Sequence, residues 1–182
     1  MNDQKLKEEL ASLIAAVENH SERRIEAAIA KLIRFKPKVL KKLVSFATQR
    51  ATQLAGDAGA LATDIDPIAV VQPVSAKRWN YEHLTDEALK TMEGKLLLLV
   101  DLWGECVAIE TILGRIPFLG KQPPKLIGES DDIIACVDKT ANIQELAAIQ
   151  NQVSLKLLQL SLDNAHGQLT YVQSQIASRL HA

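Results

Sequence analysis

Leu96-Leu97-Leu98-Leu99-Val100-Asp101-Leu102-Trp103-Gly104-Glu105-Cys106-Val107-Ala108-Ile109-Glu110 is the stretch whose reading decides the fold. Its first five residues are apolar without a break, and no proline interrupts it before Pro117. Upstream, Thr85 precedes Asp86 and Glu87, which is the pattern of a helix N-cap with acids in the first turn, where the helix dipole favours negative charge. The segment therefore predicts a helix from Thr85 to about Ile116, and a run that is apolar on every side predicts burial among neighbouring helices. Asp101, Gly104, Glu105, Ala108 and Thr111 add a narrow polar or small-residue stripe at helical spacing. A membrane span is excluded by Asp101, Glu105, Glu110 and Arg115, because one charge near the middle of a span costs roughly 2.5–3.5 kcal/mol.

The same rule of threes and fours holds on both sides of this helix. Leu6, Leu10, Leu13, Val17, Ile25, Ala28 and Leu32 form one face, with Ser21 filling the gap, up to Phe35-Lys36-Pro37. Pro37 cannot donate a backbone hydrogen bond and suits the first position of a new helix. A second helix is expected from Pro37 to Leu54 on Leu40, Leu43, Ala47, Ala51 and Leu54, with Gly56 as its C-cap. Asp57 to Asn80, punctuated by Gly59, Pro67 and Pro73, reads as a long connection with room for at most a short extended piece at Ile68 to Val71. Beyond Pro117 lie Gly120, Pro123, Pro124 and Gly128, then a short helix from Ser130 to Val137. The final helix, from Thr140 to Leu180, carries a seam of Leu146, Val153, Leu157, Leu160, Ala165, Leu169, Val172, Ile176 and Leu180. That seam slips between Leu160 and Leu169, where Gly167 predicts a kink or break.

Together these segments predict an all-α bundle of four to five helices, with a long C-terminal helix and one extended connection. The 182 residues are expected to make a single domain: an N-terminal pair over 1–56, a connection over 57–83, and long helices over 84–182. No solenoid repeat or low-complexity tract is present. The N-terminus has no apolar secretory core, and Cys106 and Cys136 form no CxxC, so a cytoplasmic location is expected.

Motifs that carry chemistry are sparse. Gly114-Arg-Ile-Pro-Phe-Leu-Gly120-Lys121-Gln122 has the outline of a phosphate-binding loop, but its glycines stand one residue too far apart and Gln122 replaces the magnesium-binding hydroxyl. It reads as a helix terminator. Arg78 and His83 fit a loose spacing used by some all-helical ribonucleases, in which arginine stabilises developing charge and histidine moves a proton. Chance produces that spacing readily, and the preferred reading is that Trp79 and Tyr81 anchor this segment against the bundle. Asp101 with Glu105, and Asp163 with His166, sketch a metal site between helices, yet a bundle dimetal site needs two acid-x-x-His pairs. No cofactor or metal is expected, and the cysteines read as small buried hydrophobes.

Charge is the most informative feature. Between Ala27 and Gly56 stand Lys31, Arg34, Lys36, Lys38, Lys41, Lys42 and Arg50 with no acid, so the rest of the chain carries about −8 to reach the total of −1. Most of these cations gather at the junction of the first two helices, predicting a positive tip that meets an acidic protein partner, nucleic acid or an anionic membrane surface. The primary expectation is a non-enzymatic interaction or assembly protein acting through exposed helix faces, with self-association a natural outcome. The alternative is a nucleic-acid-associated protein using the Lys31 to Lys42 junction.

Overall fold

The computed structural model describes residues 1–18, 22–65, 79–121 and 143–181. Over these the protein is an all-α helical bundle of five α-helices: α1 (Asp3–Glu18), α2 (Glu22–Leu32), α3 (Pro37–Ile65), α4 (Asp86–Arg115) and α5 (Ile143–Leu180). A 3-10 turn, Ile116–Phe118, follows α4. The expected strand piece at Ile68 to Val71 and the short helix at Ser130 to Val137 lie outside the described residues. Two compact units divide the chain, one of Met1–Thr52 with Glu105–Leu157, the other of Gln53–Gly104 with Leu158–Ala182.

In the first unit, the face expected to form one helix up to Leu32 is split between α1 and α2, which pack against each other. Spacings of three and four restart after any short break, so periodicity alone does not report where a chain reverses. Asn2 caps α1, its side-chain oxygen accepting the Lys5 backbone N–H at 2.9 Å. Lys42 reaches Asp3 at 2.8 Å and Lys7 lies 5.5 Å from the Phe46 ring, so α1 and α3 ascend in the same direction. Hence α2 carries the chain back between them. Its end tightens through Arg34 and Phe35 N–H bonds to the carbonyls of Lys31 and Leu32, and Lys36 then accepts the N–H groups of Val39 and Leu40 at 2.9 and 3.0 Å. Proline at 37 thus starts α3 where its missing donor is harmless.

This unit's core is Leu6, Leu10, Leu13, Ile14 and Val17 of α1, Ala28, Ile29 and Leu32 of α2, Leu43 and Ala47 of α3, Cys106, Ala108, Ile109 and Ile112 of α4, and Ala148 and Ile149 of α5. Asn151 ties α5 to α4 by donating to the Glu110 backbone carbonyl at 3.0 Å and its carboxylate at 2.9 Å. Gly114 makes this possible: a Cβ there would collide with the Asn151 amide.

In the second unit, Ala58, Leu89, Leu96, Leu99, Ala165, Leu169 and Val172 form the core with Tyr81. Here α4 and α5 run antiparallel, as Gln173 meets Glu93 at 3.1 Å and Arg179 meets Asp86 at 2.9 Å. Leu96 and Leu99 are buried, but Leu97 and Leu98 are 47% and 52% exposed, so the apolar run is not enclosed on all sides as expected. Thr85 does cap α4, its hydroxyl accepting the Ala88 N–H at 3.1 Å.

Two helix boundaries depart from the sequence reading. α3 continues past Leu54 and Gly56 to Ile65, and Gly56 is not in the left-handed region a C-cap needs. Leu54 and Ala58 are both fully buried, so the apolar face simply carries on through the glycine. α5 likewise runs unbroken through Gly167 for 38 residues. Gly167 is there to admit Trp79, whose ring would stand 3.1 Å from an added Cβ.

The three glycines should therefore respond differently to alanine. Gly56→Ala, inside a helix with nothing nearby, is expected to stabilise by about 0.5–1 kcal/mol. Gly114→Ala and Gly167→Ala are expected to destabilise by about 1–3 kcal/mol through overpacking. Urea unfolding of the three variants measures the order.

Candidate functional site

The charged junction is built by the turn between α2 and α3. Lys31, Arg34, Lys36, Lys38, Lys41 and Lys42 are all exposed there. Lys31 occupies the last turn of α2, where a cation suits the helix dipole. Lys36 and Lys38 sit in the opposite situation, at the N-cap and second residue of α3, which has no acid in its first turn. Each like-charged placement there costs roughly 0.3–1 kcal/mol. Lys42 is paired: its ammonium hydrogen-bonds Asp3, and this bond, aided by the Lys42 charge, holds the Asp3 carboxyl below its usual range. Lys31, Arg34, Lys36, Lys38 and Lys41 form no salt bridge among the described residues. Arg50 stands apart, about 20 Å along α3 from Pro37 at 1.5 Å per residue. Its guanidinium donates to both Glu105 carboxylate oxygens at 2.8 and 3.1 Å.

Of the polar stripe on α4, Glu105 is thus engaged by Arg50, while Asp101 is exposed. Asp163 accepts a hydrogen bond from Gln159 at 2.9 Å, and His166 is exposed. Among the described residues no three His, Cys, Asp or Glu side chains group as metal ligands.

Arg78 lies outside the described residues, and His83 is exposed in the turn before α4. Around it the aromatic residues do anchor the segment. Tyr171 packs on Trp79 and Tyr81 with ring centroids 6.2 and 5.7 Å apart, and buried Gln168 donates to the Tyr81 hydroxyl at 2.5 Å. Arg179 completes the fastening, donating to the carbonyls of Leu84 at 2.7 Å and Glu82 at 3.0 Å.

The stretch from Gly114 to Lys121 is a helix ending. Gly120 adopts φ +74° and the Lys121 N–H returns to the Phe118 carbonyl at 2.9 Å. Gln122 is outside the described residues. A shallow hollow of about 380 Å³ opens between the end of α3 and the start of α4. Two of its lining residues, Lys95 and Asp64, already satisfy each other at 2.6 Å.

The feature that sequence reasoning missed is on α5. Its expected single seam is two faces. Ala165, Leu169 and Val172 are buried, whereas Leu146, Leu157 and Leu160 are 44%, 60% and 53% exposed, preceded by Ile143 at 84%. Leu160 to Ala165 is five residues, a turn of about 140° around the helix. The slip in the pattern is thus a change of face, which a straight helix tolerates. In the first unit the inward positions are Ala148 and Ile149 instead.

No protein-family model, curated protein or solved structure matches the chain.

Cys106 is buried, and burial followed by the neighbouring Glu105 charge pushes its thiol up to about 11. Since the thiolate is the reactive form, Cys106 should resist thiol reagents at neutral pH while the fold is intact. In a Cys136→Ser chain, a colorimetric thiol assay is expected to count no accessible thiol before denaturation and one after. By linkage, Cys106 favours folding fully below its ordinary value of 9.0, and this contribution disappears as pH rises towards 11.

Proposed function

We propose that this chain is a non-enzymatic helical assembly protein that docks another helix through the exposed apolar row of α5. The observation that supports this reading is the row itself: Ile143, Leu146, Leu157 and Leu160, all large and aliphatic, on one side of one helix. Single exposed leucines are ordinary on a protein surface, but four large aliphatic side chains exposed on one helix, in two pairs separated by Gln150 and Val153, form a patch of the kind that marks a contact surface. An amphipathic helix is read by such lines at spacings of three and four. Replacing Leu157 and Leu160 together with Asp is expected to leave helicity and unfolding free energy almost unchanged, while binding of an apolar fluorescent dye falls. A loss near the roughly 2–5 kcal/mol of a core leucine truncation would mean that these side chains are core, and would overturn the reading.

A second reading rests on the α2–α3 junction as a docking point for nucleic acid. It is favoured by the five cations there that form no salt bridge among the described residues, two of them held against the preference of the α3 dipole. Such a patch binds phosphate through counterion release and without base readout. Fluorescence anisotropy with an arbitrary DNA or RNA duplex at low salt is expected to show binding that weakens steeply as salt rises. Reversing Lys36, Lys38 and Lys41 to Glu should abolish it or flatten the log–log salt slope by roughly 3. Binding unaffected by the reversal would count against the junction.

A further inference from the structure

We infer that the basic end of the first unit is a docking surface for an anionic lipid bilayer, on which Ile33 inserts among the headgroups while the cations around it meet the lipid phosphates. This goes beyond the nucleic-acid reading of the α2–α3 junction, which uses its charge alone.

The turn alternates two chemistries: Ile33-Arg34-Phe35-Lys36-Pro37-Lys38 sets an apolar residue before each of three cations. Ile33 is 57% exposed, Pro37 is exposed and Phe35 is half-buried. The cations of the junction, Lys42 apart, form no salt bridge among the described residues. A phosphate backbone satisfies those charges but gives the isoleucine no cover, because its contacts are polar and charged. The interfacial zone of a bilayer serves both, with an apolar layer for Ile33 beneath a plane of phosphates for the cations. Lysine and arginine suit that depth, since their alkyl stems lie along apolar surface while the charged heads stay at the phosphate level.

The neighbouring elements extend the same character. Asp3 is brought to this end by α1, and Lys42 neutralises it at 2.8 Å. α4 descends towards the same turn: Glu105 meets Arg50, about 20 Å along α3 from Pro37, whereas Arg115 meets Glu26, about 9 Å along α2 from Leu32. The Ile116–Phe118 turn after Arg115, with Pro117 and Lys121 both exposed, thus approaches this end as well. No helix among the described residues is long and apolar enough to cross a membrane, and the docking is to one face of the bilayer only.

The magnitudes show why both chemistries are needed. Each Lys or Arg near an anionic surface raises binding roughly fivefold, and covering the exposed part of one isoleucine adds on the order of tenfold. One apolar anchor is weak by itself, and a polybasic patch beside it is the second signal that holds a protein at a membrane.

The test is co-sedimentation of the full chain with vesicles of phosphatidylcholine, alone or with one third phosphatidylserine. The expected result is binding to the anionic vesicles only, weakening as salt rises. Ile33→Ser, at unchanged helicity by circular dichroism, is expected to weaken that binding about tenfold and to leave binding to an arbitrary duplex unchanged. Lys36→Glu with Lys38→Glu and Lys41→Glu is expected to weaken it by at least about a hundredfold. As a second check, a polarity-sensitive dye on Ile33→Cys in a Cys136→Ser chain should shift its emission to the blue on anionic vesicles. The same dye on Ser45→Cys, about 12 Å along α3 from Pro37, should not. A chain that ignores anionic vesicles, or binds them equally well as Ile33→Ser, or binds them with no shift at position 33, overturns the inference. Binding to the duplex without binding to the vesicles overturns it too and leaves the nucleic-acid reading standing, while a chain that binds neither overturns both.

Discussion

A helix turns about 100° with each residue, so which side of a long rod faces its neighbours is set by where its apolar residues fall, and that side can change along the rod. α5 depends on this. Its 38 residues are continuous, yet the positions that face the core in the second unit, Leu162, Ala165, Leu169 and Val172, follow a different line from Leu146, Leu157 and Leu160. Helical periodicity supplies two apolar lines along α5, and among the described residues one is buried and the other exposed. α3 shows the simpler case, in which Leu43, Ala47, Leu54 and Ala58 are buried in succession on a steady spacing.

This explains what could be read beforehand. Helix content, the Pro37 start of α3, the Thr85 cap of α4 and most of the inward residues follow from local rules, since caps and spacings act within a few positions. The reversal between α1 and α2, and the passage of α3 and α5 through Gly56 and Gly167, depend on contacts far along the chain. Gly167 looks like a breaker until Trp79 is seen against it, 88 positions earlier in sequence. The α5 row has the same origin: its residues were recognisable, but only the three-dimensional arrangement separates those that are covered from those that are not.

Electrostatics divides in a comparable way. The cluster of cations from Lys31 to Lys42 is visible in the sequence and exposed in the structure, whereas Arg50 belongs with them only by composition. Its partner Glu105 lies 55 positions away, and the two-pronged contact commits both groups to holding α3 against α4. An arginine fork matched to a carboxylate gives orientation as well as energy, which a lone lysine pair such as Lys42 with Asp3 supplies less well.

Arg179 has a consequence for how the protein is made. The guanidinium that closes the turn at Glu82 and Leu84 is translated nearly a hundred residues after that turn, and Leu169 and Val172, which complete the same core, arrive almost as late. While the chain is still emerging from the ribosome, Leu89, Leu96 and Leu99 have no α5 to lie against. The second unit must therefore wait for synthesis to pass these positions, and in that interval its nascent helices are natural clients for a chaperone.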